Sequence, residues 1–286
     1  MCTYNGEKFI EKQIESVLNQ TYGDFKLYVF DDNSIDNTVN IIKSFNDQRI
    51  EIYRNPQTLG IIKNFEQAIS MCEGDYIALC DQDDIWETDK LETQIEYMRN
   101  DKPFFVFSDL NVIDENDNLI TQSYFQMKGY DKFDFATIIS RSGIMGNTLM
   151  FNRALKNKIL PFFYKIPMYD YFIGVMGTIF GDYHIIKKPL VKYRFHKKNF
   201  GNKKKSFINK TDICQFPHKE KIDFLRWVYH FANNEQKKEI NELLKVINSD
   251  KWSDLFLGMK KGYFKGNEWY LTKLILRFLF CKKIKK

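Results

Sequence analysis

The sequence predicts an α/β fold in which a mostly parallel central sheet is flanked by helices and followed by a helical C-terminal extension. In the first 200 residues, apolar residues at helical spacing alternate with short apolar runs that are typical of buried strands. Strands joined by helices form parallel sheets covered on both faces. Beyond residue 200 the strand pattern fades while helical spacing continues, so we expect two domains, 1–200 and 201–286.

Each element can be placed along the chain from this spacing. Ile10, Ile14 and Val17 lie on one face of a first helix. The predicted strands of the first half are 26–30, 49–53, 76–80 and 103–107, with helices around 39–45, 61–69 and 90–99 between them. Farther along we predict a strand over 146–151, a helix over 169–180, an extended pair over 185–195, and helices near 217–231, 235–248, 251–264 and 268–281.

The amino terminus is unusual for such a fold. The turn Thr3–Gly6 arrives with almost no strand before it, whereas a parallel sheet normally has a central strand that feeds such a turn. We therefore expect the natural amino terminus to lie several residues upstream, or the numbering to begin at an internal methionine.

Charge is distributed unevenly along the chain. Residues 1–186 carry 17 Lys and Arg against 28 acidic residues, whereas residues 187–286 carry 26 against 9. The basic part could meet nucleic acid, anionic lipid or an acidic acceptor. Over 251–286 the predicted helices are both basic and amphipathic, which favours either an anionic membrane surface or packing on the first domain or a second subunit.

Several classes of protein are disfavoured by missing signals. The five cysteines include no CxxC pair, so neither a zinc site nor a disulfide framework is indicated, and a reducing cytosol fits. No secretory signal and no run of 18 apolar residues is present, so no membrane-spanning segment is predicted. GxGxxG is absent, which argues against a dinucleotide oxidoreductase, and without a recognised nucleic-acid module we expect no nucleic-acid partner.

The strongest motif is the acidic run Asp81-Gln82-Asp83-Asp84, directly after the predicted strand 76–80. In α/β sheets ligands bind at the carboxyl ends of the strands. Three carboxylates within four residues repel one another, and a divalent cation would relieve that repulsion. Mg²⁺ or Mn²⁺ held by one or two carboxylates and completed by diphosphate oxygens is a common arrangement. The alternative is a solvated acidic turn or helix cap.

Three further residues could carry chemistry. Asp32, after strand 26–30, could accept a hydrogen bond from a pyrimidine base, with Tyr4 against the ring, or could form an ordinary turn. Asp170, flanked by tyrosines at the start of a predicted helix, could be a general base with a raised pKa or simply a helix cap. His196 could ligate a metal, although a single histidine is more often structural.

In order and spacing, these motifs resemble the inverting family 2 glycosyltransferases with the GT-A fold, and most of all the bacterial rhamnosyltransferase branch that builds cell-wall, capsule or O-antigen polysaccharide. The resemblance covers roughly residues 1–200. The matching runs are CTYNGEKFIEKQIESVLNQT, FDDNSIDNT, LGIIKNFEQAI, LCDQDDIWETDKL, FSDLNVIDEN, GNTLMFNRAL, MYDYF and YRFHKKN.

The resemblance implies a role for each motif. Asp81 and Asp83 form the DxD element that holds Mn²⁺ or Mg²⁺, with Asp83 the direct ligand, and Asp170 is the general base for the acceptor hydroxyl. The residues implied to bind the dTDP- or UDP-linked donor are Thr3, Tyr4, Asn5, Asp32, Lys63, Asn64, Asp81 and His196. The residues implied to line the acceptor side are Gly146, Asn147 and Thr148.

The chain departs from that branch at three places, of which the first is that much of the first strand is missing. Tyr169-Asp170-Tyr171 stands where His-Asp-Trp is common, and Asn147-Thr148 stands where a pair of small residues is common, so we expect different acceptor contacts. The implied function is transfer of a sugar, rhamnose by analogy alone, to a growing cell-surface polysaccharide or lipid-linked glycan.

Two other functions are alternatives to sugar transfer. A non-catalytic nucleotide- or glycan-binding protein of the same fold is the alternative, and a nucleotidyltransferase is disfavoured because no Gly-rich phosphate loop follows the first strand. We expect a cytoplasmic protein, peripheral on the inner face of the cell membrane if the tail binds lipid. Association into an oligomer stays open.

Overall fold

The computed structural model of the protein describes residues 1–196, 218–248, 252–261 and 263. Within them the strands are β1 Cys2–Thr3, β2 Leu27–Asp31, β3 Ile50–Arg54, β4 Tyr76–Ala78, β5 Ile85–Trp86, β6 Phe104–Ile113, β7 Leu119–Thr121, β8 Leu149–Asn152 and β9 Asp182–Arg194. The helices are α1 Ile10–Leu18, α2 Thr38–Ser44, α3 Ile61–Met71, α4 Lys90–Glu96, α5 Tyr124–Lys128, α6 Phe135–Arg141, α7 Arg153–Ile159, α8 Tyr169–Phe180, α9 His218–Val228, α10 Asn234–Asn248 and α11 Trp252–Lys260.

These residues belong to two compact units. The first unit comprises Met1–Tyr124, Ile144–Phe162 and Met168–Phe195. The second comprises Phe125–Gly143, Phe163–Pro167 and the described part of His196–Lys286. Because residues 197–217 lie outside the described part, the expected domain boundary at residue 200 stays a prediction.

The first unit begins with a three-stranded parallel sheet in the order β1-β2-β3. Cys2 lies opposite Phe30, and Leu27 lies opposite Ile50. The apolar stripe predicted on α1 is buried, and it consists of Ile10, Ile14 and Val17. Because parallel strands end at the same edge of a sheet, the residues that follow β1 and β2 meet there.

The second sheet of this unit is mixed rather than mostly parallel. Its order is β4-β8-β6-β9-β5, with β7 on β6, and of these pairs only β6 with β9 is parallel. The expectation of a mostly parallel sheet therefore holds for β1 to β3 and is wrong for the larger sheet. The physical reason is the insertion of β8 between β4 and β6, where it runs opposite to both. The Cys2 N–H donates to the Cys80 carbonyl (3.3 Å), which links the two sheets.

Strand β9 is one continuous strand of 13 residues, where an extended pair around Pro189 was predicted. Proline lacks the N–H that a strand ladder uses, so it normally interrupts a paired strand. The register between β6 and β9 shifts between Ser108 and Asp109, and Asp109 lies opposite Pro189. This irregularity accommodates the proline, because a bulge leaves one residue of the strand unpaired.

The second unit is helical, as the sequence of this region predicts. Its α10 packs on α6, α9 and α11, and the apolar residues Phe224, Leu225, Ile240 and Leu243 are buried. The helix predicted near 268–281 lies outside the described residues. Among the helices that the structure describes, none combines the length and the apolar character that crossing a bilayer requires.

Candidate active site

The turns that follow β1 and β2 are tied together by hydrogen bonds. The Thr3 hydroxyl donates to Asp31 Oδ1 (3.0 Å), and the Asn5 N–H donates to Ser34 Oγ (2.9 Å). In return, the Ile35 N–H donates to Asn5 Oδ1 (2.9 Å). Asn5 has a φ of 48°, a left-handed conformation that asparagine adopts more readily than most residues. The structure thus brings the predicted Thr3 and Asn5 to one place.

Asp32 lies just beyond β2, and its buried carboxylate organises the start of α3. It accepts hydrogen bonds from the N–H groups of Leu59 (2.7 Å) and Gly60 (2.9 Å) and from Asn55 Nδ2 (3.0 Å). A negative charge is favourable at a helix amino terminus because the first backbone N–H groups lack partners within the helix. The contact of Asp32 with a donor base stays a prediction.

The neighbours Lys63 and Asn64 on α3 have different surroundings. Asn64 is buried, and its Nδ2 donates to the carbonyl oxygen of Phe30 (2.9 Å), which fixes α3 against β2. The Lys63 side chain is 60% exposed and its Nζ lies 2.6 Å from Glu66 Oε2. Of these two predicted donor residues, only Lys63 therefore reaches solvent.

Gln82 joins the acidic run to the turn after β1. Its Oε1 accepts from the Tyr4 N–H (2.8 Å), and its Nε2 donates to the Tyr4 carbonyl (3.1 Å). A Cβ on Gly6 would lie 2.3 Å from Gln82 Oε1, so this pairing needs glycine at position 6. Tyr4 itself is 49% exposed. Local spacing does not single out Gln82, because its partners lie 78 residues away.

The three carboxylates of the acidic run differ in exposure. Asp84 is fully buried, whereas Asp81 and Asp83 are partly exposed. Burial and the charge of Asp83 raise the pKa of Asp81 to about 7, although a hydrogen bond from Tyr169 opposes that rise. Burial, followed by the charges of Asp83 and Asp81, also raises the pKa of Asp84 well above its ordinary value.

Arg194 holds the acidic turn from the end of β9. Its backbone N–H donates to Asp84 Oδ1 (3.0 Å), and its Nε donates to the carbonyl oxygen of Asp83 (2.9 Å). Its guanidinium also pairs with Asp117, and the residue is only 1% exposed. Asn147 Nδ2 donates to the other oxygen of Asp84. Arg194 therefore fixes the backbone of the turn that presents Asp83.

Asp170 lies in the first turn of α8 and is partly buried. Its Oδ1 accepts from the Tyr171 N–H (2.6 Å). Burial raises its pKa to about 6, and backbone N–H groups, that of Tyr171 before that of Gly146, oppose the rise. A carboxylate with this pKa is deprotonated at neutral pH and still basic enough to accept a proton from a hydroxyl that is losing it.

Asn147 and Thr148, predicted to line the acceptor side with Gly146, make internal contacts. Thr148 is 1% exposed, and its carbonyl accepts from Gln94 Nε2 (2.8 Å). Asn147 is fully buried, and its Oδ1 has no partner. Gly146 packs against the ring of Tyr169, so that a Cβ there would lie 2.3 Å from the Tyr169 hydroxyl. The acceptor role of all three stays a prediction.

Asp81 and Asp83 fit a divalent ion that takes its other ligands from a substrate. Within the described ranges, no group of three or more His, Cys, Asp or Glu side chains is placed to hold a metal by itself. Mg²⁺-like ions are commonly held by one or two carboxylates plus phosphate oxygens and water. The charge repulsion that raises the pKa of Asp81 is what such a cation would offset. His196 belongs to the second unit and is 7% exposed, and its predicted role is untested.

Two solved structures of low sequence identity have a similar fold. TarS residues 1–349 of S. aureus in complex with UDP-GlcNAc aligns with a TM-score of 0.62, at 17% identity, over 86% of this chain and 69% of that one. The mannosyltransferase PcManGT from Pyrobaculum calidifontis, in complex with GDP-Man and Mn²⁺, aligns with a TM-score of 0.55, at 16% identity, over 98% and 86%. These likenesses confirm the expected GT-A fold.

Sequence relatives point the same way. The Escherichia coli protein WfgD, UDP-Glc:α-D-GlcNAc-diphosphoundecaprenol β-1,3-glucosyltransferase, is 34% identical over 170 residues, 59% of this chain and 65% of its own length. The dTDP-rhamnosyl transferase RfbG of Shigella flexneri is 28% identical over 100% of this chain and 94% of its own length. Residues 1–160 match the profile described as Glycosyl transferase family 2. With more than half of its length matched, the chain belongs to glycosyl transferase family 2.

Proposed function

We propose that the protein is an inverting glycosyltransferase that moves a sugar from a dTDP- or UDP-linked donor to a growing cell-surface polysaccharide or lipid-linked glycan. One observation carries the proposal: Tyr169 hydrogen-bonds Asp81 (3.1 Å) while the next residue, Asp170, provides a carboxylate of raised pKa. A candidate base and a candidate diphosphate site thus lie side by side, as transfer from a diphosphate-linked sugar requires.

In the proposed reaction, Asp170 accepts the proton of an acceptor hydroxyl. The acceptor oxygen attacks the anomeric carbon of the donor sugar while the bond from that carbon to the diphosphate oxygen breaks on the opposite face. The configuration at the anomeric carbon is therefore inverted, and the nucleoside diphosphate leaves. The Tyr171 N–H, which donates to Asp170 Oδ1 (2.6 Å), orients the carboxylate for this proton transfer.

The donor would lie across the carboxyl ends of β1, β2 and β4. Tyr4, which is half exposed, would face the base, while Thr3 and Asn5 shape the turn that carries it. Asp32 and Asn64 would act by fixing α3, and Lys63 would reach the ribose or diphosphate. WfgD is a glucosyltransferase that uses UDP-Glc, and RfbG is a dTDP-rhamnosyl transferase. Both relatives support a pyrimidine-linked donor for this chain and leave rhamnose as one choice of sugar.

Asp81 and Asp83 would hold Mn²⁺ or Mg²⁺, with Asp83 as the direct ligand. When bound, the ion would neutralise the charge that develops on the departing diphosphate. The Mn²⁺ in the PcManGT complex supports this part of the proposal. The role of the protein is to present the two carboxylates on a turn that Gln82 and Arg194 fix from opposite sides.

The proposed acceptor and location follow from one relative and from the basic residues of the tail. The diphosphoundecaprenol in the name of WfgD supports a lipid-linked acceptor. An enzyme acting on one would work at the inner face of the cell membrane, where the basic residues 251–286 would meet anionic lipid. The alternative, a non-catalytic binding protein, is disfavoured because the family model matches residues 1–160, which include Asp81 and Asp83, and because Asp170 is present as well.

Thermal-shift measurements with UDP, dTDP, GDP and NAD, each with and without Mn²⁺, would test the donor assignment. We expect stabilisation by UDP or dTDP that requires Mn²⁺, since a bound ligand stabilises the folded state by mass action. A larger shift with dTDP would favour a dTDP-sugar. Stabilisation by NAD, or by no nucleotide at all, would contradict the proposed function.

A further inference from the structure

We propose that Tyr169 is a positioning residue that sets the orientation of Asp81 and couples it to Asp170, an inference that rests on the proposed function. Tyr169 is the first residue of α8 and is 3% exposed. Its neighbour Asp170 is the proposed base, and its own hydroxyl lies 3.1 Å from Asp81 Oδ1. The first two residues of α8 therefore serve both parts of the proposed reaction, because Tyr169 contacts the proposed metal ligand Asp81 and Asp170 is the proposed base.

The ring of Tyr169 is held rigidly, which makes its hydroxyl a precise donor. It stacks on Phe65 of α3, with ring centroids 3.8 Å apart and planes 19° apart. On another side lies Gly146, where a Cβ would come within 2.3 Å of the hydroxyl and 2.7 Å of the ring. A side chain fixed by packing loses little further conformational entropy when it makes a hydrogen bond.

The hydrogen bond determines what Asp81 can offer a ligand. A carboxylate has two oxygens, and donation from Tyr169 to Oδ1 fixes the torsion of the group and leaves Oδ2 to a cation or to a donor hydroxyl. Without that donor, Asp81 would be free to rotate beside Asp83, whose charge repels it. A tyrosine that only filled space would not need its hydroxyl at this place.

The same residue links the metal-binding turn to the base. Gly146 lies against the Tyr169 ring, and Asp170 is the next residue of the same helical turn. A displacement of the ring would therefore move the start of α8, which carries the base. Loss of the hydroxyl alone should therefore affect binding at Asp81, whereas loss of the ring should affect both carboxylates.

The test uses the full chain and three variants, Tyr169→Phe, Tyr169→His and Tyr53→Phe. Tyr53 is the matched control, because its hydroxyl also donates to a carboxylate, Glu51 Oε2 at 3.0 Å, on the first sheet. Affinity is measured by calorimetry with Mn²⁺ alone and with Mn²⁺ plus UDP. We expect Tyr169→Phe to weaken both by about tenfold to a hundredfold, the range for a lost hydrogen bond to a charged group. Tyr169→His, which restores an N–H donor, should recover part of the loss, and Tyr53→Phe should change nothing.

The outcomes separate this inference from the proposed function. Affinity of Tyr169→Phe within twofold of wild type would overturn the positioning role, even in an enzyme that transfers sugar. If Tyr169→Phe does not fold, the test uses Tyr169→His instead. A folded Tyr169→His that binds Mn²⁺ no better than Asp81→Ala would also overturn the positioning role. If the variants show the expected affinities but the wild-type protein transfers sugar from no donor, the proposed function is contradicted and the positioning role is not. If the wild type binds neither Mn²⁺ alone nor Mn²⁺ with UDP, both are contradicted.

Discussion

Asp170 shows how surroundings make an ordinary carboxyl group into a candidate base. Burial at the start of α8 raises its pKa to about 6, while backbone N–H groups limit that rise. Two effects therefore act in opposite directions on one group, and the outcome is a pKa close to neutral pH. That balance suits a base that must be ionised in the resting protein and must accept a proton during the reaction.

Replacing Asp170 with asparagine should abolish transfer and leave donor affinity close to wild type. Removing a general base typically costs about 10² to 10⁴ in rate. The variant is checked by comparing single-turnover rates and nucleotide affinity with those of Asp182→Asn, which alters an exposed carboxylate. Transfer at an undiminished rate would show that another group takes the proton.

The wild-type rate should also depend on pH in a defined direction. The base form of Asp170 is lost as the pH falls through about 6, so kcat/KM should decline by about tenfold per pH unit below that value and level off above it. The folded-state pKa is raised, so the charged form is disfavoured by folding and this group adds no stability above pH 6. A rate that stayed constant between pH 5 and 8 would argue against Asp170.

Asp83→Ala should remove metal-dependent donor binding. Asp83 is the partly exposed carboxylate whose backbone Arg194 fixes, so the change deletes a ligand without opening the core. UDP affinity with and without Mn²⁺ should become equal in the variant. Asp75→Ala, at a side chain that is 81% exposed, is the control. A Mn²⁺-dependent gain that survives in Asp83→Ala would exclude Asp83 as the ligand.

The sequence pointed to Asp81, Asp83 and Asp170 as candidate residues, since each follows or begins a predictable element. It did not point to Gln82, nor to a role of Arg194 in holding the acidic turn. The partners of Gln82 lie 78 residues away, and Arg194 meets Asp84 across 110 residues. Pairing over such distances is decided by the tertiary fold, so local spacing contains no signal for it.

Among the elements, α8 was predicted with its observed bounds, 169–180, because nearly every residue in it is apolar and buried. The larger sheet was predicted less well. Its strands are apolar on both faces, so the sequence pattern shows that they are buried without showing their direction. The extended pair at Pro189 was wrong because a register shift opposite the proline is invisible in the sequence.

The 3₁₀ turn before β8 should be sensitive to any added side chain. Gly146→Ala would place a methyl group 2.3 Å from the Tyr169 hydroxyl, so the start of α8 must shift. We expect a fall in melting temperature of several degrees, as overpacking typically costs about 1–3 kcal/mol, together with a loss of transfer. Gly23→Ala, where a Cβ meets nothing within 4 Å, is the control. Equal melting temperatures for the two variants would contradict the packing described here.

At the scale of the whole molecule, the two parts of the chain differ in net charge. The residues before 187 carry an acidic excess, whereas those after 186 carry 26 basic residues against 9 acidic ones. A basic surface would not assist capture of a metal ion, but it would attract anionic lipid at low salt. The uneven charge is therefore consistent with the proposal that the second half of the chain meets a lipid-linked acceptor at a membrane.

Replacing Lys282, Lys283, Lys285 and Lys286 with glutamine should weaken binding to anionic vesicles at least tenfold at low salt. Each lysine near such a surface contributes about 1 kcal/mol. These lysines lie outside the described residues, so the expectation rests on sequence alone. Flotation with phosphatidylglycerol vesicles, with phosphatidylcholine as control, measures it. Unchanged flotation would indicate that the basic terminus does not touch the membrane.

The contact between Asp84 and Arg194 also affects the order in which the protein can be assembled on the ribosome. The two residues are 110 positions apart, and at roughly 5–20 residues per second the interval between their synthesis is on the order of ten seconds. During that interval the nascent chain contains the acidic turn without the residue that closes it. Chains released before residue 194 would therefore lack an organised site, and catalytic competence would arrive late in biosynthesis.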